Sequence, residues 1–125
     1  MKKFDFSKSY EEVEIAGKTY KIDFSDEKTL EYQSLYEEAL KEGTKASEID
    51  VEKATLEELK AQQENTKRSM EKFVDVVLGE GEFNELYEKA GKSSIIFVEL
   101  LEFLGDIIAS KTNEVKEKAK SKYVK

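Results

Sequence analysis

Between Ile95 and Ile108 the chain places ten large apolar residues within fourteen positions, and no other segment is as apolar. Ser93 stands where a helix N-cap would, so the run reads as a last helix. It is too short for a bilayer, which needs about 20 apolar residues, and Glu99, Glu102 and Asp106 interrupt it. No membrane contact is therefore expected. The run is also more apolar than the stripe that a surface helix of a small domain requires. Either the rest of the chain covers it, or an apolar patch is left to meet another chain, a copy of itself or a client helix.

The remainder has the means to cover part of it. At 125 residues, one domain spanning 1–125 is the expectation, with one modest core. An α+β fold, mostly α, is predicted: an N-terminal β-hairpin region over 1–25, two helices over 26–78, then a short helix and the long apolar helix with a basic tail over 79–125. In the first region Val13 and Ile15 alternate with polar residues, as do Tyr20, Ile22 and Phe24, with Ala16-Gly17-Lys18 between the two runs. That is a hairpin pattern. A lone hairpin is marginal in water, so it must rest on a helix or pair with another strand. Ser25-Asp26 opens a helix predicted over 26–42, carrying Tyr32, Leu35, Tyr36, Ala39 and Leu40 and stopped by Gly43. Residues 43–52 read as a loop. Thr55 and Glu58 have capping-box spacing, and the helix they start should reach Leu78. Its heptad positions Leu56, Leu59, Met70, Phe73 and Val77 are interrupted by Gln63 and Thr66, which argues against a pure coiled coil. Gly79-Glu80-Gly81-Glu82 is the sharpest break, followed by a short helix from Phe83 to Ala90.

Chemistry-bearing residues are sparse. With no histidine and no cysteine, the chain lacks the commonest general base, the commonest metal ligand and the strongest neutral-pH nucleophile. Glu99, Glu102 and Asp106 share a helical face and are of a type that binds Mg²⁺ or Ca²⁺, but the reading that they are the wet face of a buried helix carries more weight. Gly79-Glu80-Gly81 lacks the Gly-Lys-Ser/Thr of a phosphate loop. Tyr32, Tyr36 and Tyr87 read as core edges more readily than as a ligand pocket. No catalytic residue, metal ligand or cofactor is assigned. A net charge of −7 with a single arginine, Arg68, disfavours nucleic-acid binding. Residues 75–106 hold eight acids and two lysines, whereas residues 111–125 hold six lysines and two glutamates; the basic end reads as a solvated helix end. Absence of cysteine and of an apolar leader after Met-Lys-Lys-Phe-Asp-Phe point to a cytoplasmic protein.

Two segments carry a family resemblance. Glu14-Ile15-Ala16-Gly17-Lys18-Thr19-Tyr20-Lys21-Ile22-Asp23-Phe24 is a hairpin ahead of helices. Phe73-Val74-Asp75-Val76-Val77-Leu78-Gly79-Glu80-Gly81-Glu82-Phe83-Asn84-Glu85-Leu86-Tyr87 precedes a final apolar helix. Together these resemble the small tail assembly chaperones encoded in the tail modules of long-tailed phages and prophages of Gram-positive bacteria. The resemblance implies a protein of the host-cell cytoplasm that holds the helical tape-measure protein until tail-tube subunits replace it. It transfers no residue-level signature. From the residues themselves, contact with a protein partner is expected at Ile96, Phe97, Leu100, Leu101, Leu104 and Ile108, with Phe73, Val77 and Phe83 around the Gly-Glu-Gly break, and a homo-oligomer is expected. The rival expectation, resting on net charge and the carboxylate stripe, is an acidic regulatory protein that imitates DNA and blocks a DNA-binding partner.

Overall fold

The structure, a computed structural model, describes the backbone of residues 1–123 and the side chains of residues 1–113. A hairpin of β1 (Tyr10–Ile15) and β2 (Lys18–Asp23) leads into four helices: α1 (Asp26–Glu48), α2 (Leu56–Leu78), α3 (Glu82–Lys89) and α4 (Ser94–Tyr123). This is the α+β, mostly α architecture that the pattern predicts. Most of the lysine-rich end lies outside the described side chains.

The strands are antiparallel, with Val13 opposite Tyr20 and Ile15 opposite Lys18. Ala16 and Gly17 both have positive φ, 51° and 83°, which is the two-residue turn whose twist matches a hairpin. Alternation then puts Tyr20 and Ile22 into the core with Val13, Ile15 and Phe24 packed around them. Glu12, Glu14, Thr19 and Lys21 face solvent.

Helices α1 and α2 form an antiparallel pair, because the connection between them is short. Ser25 caps α1 by accepting from Lys28 N–H at 3.3 Å, and Thr55 caps α2 by accepting from Glu58 N–H at 3.1 Å. Contrary to the predicted stop at residue 42, α1 runs through Gly43 to Glu48. A mid-helix glycine costs only about 1 kcal/mol relative to alanine, and α2 holds this turn in place. The Gln62 side-chain amide donates to the Glu42 carbonyl at 3.2 Å and to its carboxylate at 3.1 Å. The Gln62 and Lys45 contacts hold the Glu42 carboxyl below its usual range, Gln62 contributing most. The polar contact between the two helices is made by Gln62, next to the heptad break at Gln63, which is exposed.

The α2–α3 corner is tied from three directions. Gly79 (φ 132°) and Gly81 (φ 86°) adopt backbone angles that L side chains rarely reach. Gly81 brings no side chain to cap α3, and the Asp75 carboxylate does so from α2, accepting from Phe83 N–H at 2.9 Å. The Glu82 carboxylate accepts from Lys18 Nζ and from the Tyr20 hydroxyl, both at 2.8 Å, joining the hairpin to α3. Those two donors, Lys18 first, lower the Glu82 pKa, while burial and the Glu82 contact push the Tyr20 hydroxyl up to about 12. A carboxyl whose folded pKa is depressed adds stability above its unfolded pKa, near 4.3, and loses it as pH falls through the lower folded value. We expect Glu82→Gln to lower the melting temperature at pH 7 and the two proteins to converge in thermal melts only once the pH has fallen below the depressed Glu82 pKa.

Gly105 of α4 leaves room for the Tyr36 ring of α1. A Cβ built there would lie 2.6 Å from Cζ and the hydroxyl of Tyr36, whose ring also packs on Phe73 with centroids 5.3 Å apart. Gly105→Ala should thus destabilise the fold by about 1–2 kcal/mol through displacement of that ring. In a Tyr36→Leu background the same change should instead stabilise by up to about 1 kcal/mol, through helix propensity. Urea titrations of the four proteins in this cycle measure the reversal.

Candidate functional site

Helix α4 carries two parallel apolar stripes. Phe97, Leu101, Leu104 and Ile108 recur at i, i+4, i+7 and i+11, and all are buried. They join Met70, Phe73, Val74 and Val77 of α2, Phe83 and Leu86 of α3, and Tyr20 and Ile22 of β2 in one core cluster. Phe83 and Phe97 meet edge-on with centroids 5.0 Å apart, and Tyr87 stacks on Phe83 at 5.1 Å. Ser93 caps this helix as predicted, its hydroxyl accepting from Ile96 N–H at 3.3 Å.

The second stripe repeats the same spacing one residue earlier: Ile96, Leu100, Phe103 and Ile107. Ile96 keeps 50% and Phe103 44% of its surface exposed, while Leu100 and Ile107 are partly buried at the edge of the core. Stripes i, i+4, i+7, i+11 are coiled-coil seams, and this one spans about 16 Å of helix at 1.5 Å per residue. Its C-terminal half floors a recess of about 220 Å³ lined by Phe103, Asp106, Ile107, Ser110, Lys111 and Glu11. Lys111 and Glu11 form an ion pair at 3.8 Å that bridges α4 to β1 beside the recess.

The contact expectations need correction on this basis. Phe73, Val77, Phe83, Phe97, Leu101, Leu104 and Ile108 are at most 9% exposed, so they are core and present no surface. Of the nine residues, only Ile96 and Leu100 lie on the second stripe. Phe103 and Ile107 complete it and were not singled out from the sequence, although the heptad spacing that groups them is visible there. Tyr36 and Tyr87 lie at the edge of the core, as expected, whereas Tyr32 lies inside it. Tyr32 is 1% exposed, and burial, then the charges of Asp23 and Glu31, push its hydroxyl up to about 12. Burial raises Tyr36 as well, and the charges of Asp106 and Glu102 add to the shift.

Glu99, Glu102 and Asp106 are exposed along the outer side of the second stripe, and none has an ion-pair partner among the described residues. Among those residues no group of three carboxylates is gathered closely enough to hold a metal ion, and no helix is long and apolar enough to cross a membrane. Comparison with protein-family models, curated proteins and solved structures finds no match to this chain.

The two stripes should respond differently to truncation. Leu104→Ala is expected to cost about 2–5 kcal/mol, as for a buried leucine. Phe103→Ser, one residue away, should stay within about 1 kcal/mol of the parent because much of that ring is already in water. Chemical denaturation of both variants checks the contrast.

Proposed function

We propose that this chain is a non-enzymatic binding protein that holds a helical segment of another protein along α4, and that it acts in the host-cell cytoplasm as a phage tail assembly chaperone. The observation that carries the reading is the partly exposed seam Ile96–Leu100–Phe103–Ile107, of which Ile96 and Phe103 are open to solvent. A helix laid on it would meet a ready set of seam positions, the helix-in-groove mode of recognition. The grip is weak per molecule: covering two half-exposed side chains contributes about 1 kcal/mol each, before the losses of association. A weak grip suits a holder that must be displaced later, and many copies along one long client would add up through multivalency.

Fluorescence anisotropy with a labelled synthetic helix, Ile and Leu in its seam and neutral flanks, tests the docking. The parent should bind it and Phe103→Glu should lose at least about tenfold in affinity while keeping its melting temperature. Absence of binding by the folded parent would sink the reading. The chaperone role itself predicts that co-expression keeps a tape-measure protein soluble and that Phe103→Glu abolishes the effect.

A second reading, an acidic protein that obstructs a DNA-binding partner, draws on Glu99, Glu102 and Asp106, which have no ion-pair partner among the described residues. Charge imitation weakens steeply with ionic strength, whereas capture by an apolar seam with neutral flanks does not.

A further inference from the structure

We infer that the helix docked on this seam carries Lys or Arg along one flank, so that the surface selects a basic-flanked helix over a second copy of this chain. The inference rests on the docking reading above. With Leu100 and Ile107 as a positions and Ile96 and Phe103 as d, Glu99 and Asp106 fall at g, the positions whose charges set partner and orientation in helix pairs. The e positions beside the seam are Phe97 and Leu104, both committed to the core, and beyond them Lys111, which is paired with Glu11. The seam therefore has one charged flank, and it is entirely acidic. Neither carboxylate has an ion-pair partner among the described residues, and the neighbouring cation, Lys111, is already bonded to Glu11 at 3.8 Å.

A second copy fits this flank badly. In an antiparallel pair g positions face g positions, so Glu99 of one copy meets Asp106 of the other, twice. In a parallel pair g positions face e positions, of which Phe97 and Leu104 lie within the core and Lys111 is largely buried in its ion pair with Glu11. Lys or Arg on a foreign helix would instead meet both carboxylates, and like-charge contact would work against acidic helices. The recess over Phe103 and Ile107 offers room for an apolar side chain from the same helix.

The test uses the full chain and two synthetic helices with identical Ile/Leu seams, one flanked by Lys and one by Glu, titrated by anisotropy at low and high salt, with a concentration series of the chain in sedimentation. The Lys-flanked helix should bind at least about tenfold tighter at low salt, and the gap should narrow in high salt. Glu99→Lys/Asp106→Lys, exposed changes whose folding is checked by melting temperature, should reverse the preference. Equal binding of both helices would overturn the charge selection and leave seam docking intact; binding of neither would overturn the docking reading as well. A dimer that Phe103→Glu dissolves would make a second copy the occupant and overturn the inference.

Discussion

The hairpin belongs to the rest of the chain through its seating on the helices, by buried Tyr20 and Ile22 and by the Glu82 contacts at its tip. Two strands with a two-residue turn do not hold together alone in water. Here the inner hairpin face is pressed into the helical core by Tyr20 and Ile22, and its tip is held to α3 by the Lys18 and Tyr20 contacts with one carboxylate. That carboxylate can reach both donors only because Gly79 and Gly81 let the chain turn where a side chain would resist, and because Asp75 supplies the cap that Gly81 lacks. The next residue, Phe83, is fully buried against Phe97 and Tyr87. Within nine residues, Asp75 to Phe83, one corner thus fixes the hairpin, the start of α3 and the ring cluster beneath α4.

Much of this is legible in the sequence because the signals are local. Period-2 alternation, Ser and Thr caps and paired glycines each act over a few residues, and the elements they predict are present. The failure at Gly43 is different in kind. Glycine weakens a helix by about 1 kcal/mol, and whether that ends it depends on what a distant residue offers; Gln62 offers two hydrogen bonds to Glu42, twenty positions before it. Nor could local reasoning assign the cap of α3, since the acceptor belongs to the preceding helix.

The candidate surface was half legible for a related reason. The apolar excess in α4 is plain from composition, but which of two adjacent seams faces the core depends on how the helix is rotated. That rotation is fixed by Tyr36 lying over Gly105 and by Phe97 meeting Phe83 and Tyr87. Once it is set, Phe97, Leu101, Leu104 and Ile108 turn inward, and the seam containing Phe103 is left at the margin. Choosing the largest apolar residues as contacts selects core residues for the same reason that they are large and apolar.

The position of the acids follows from the same geometry. A helix with one buried seam would place Glu99, Glu102 and Asp106 opposite the core, with ordinary polar flanks on both sides. Here the polar arc is narrowed by a second seam, and the carboxylates border it directly. Tyr36 feels Asp106 and Glu102 from the other side, its hydroxyl raised by burial and then by those charges. The negative charge therefore lies between the α1 contact and the open seam, stacked along one helix without a lysine at ion-pair distance among the described residues. Such an arrangement lowers the gain from self-pairing while leaving the apolar surface available, and that asymmetry, more than the apolar surface alone, is what gives the α4 seam a preferred kind of partner.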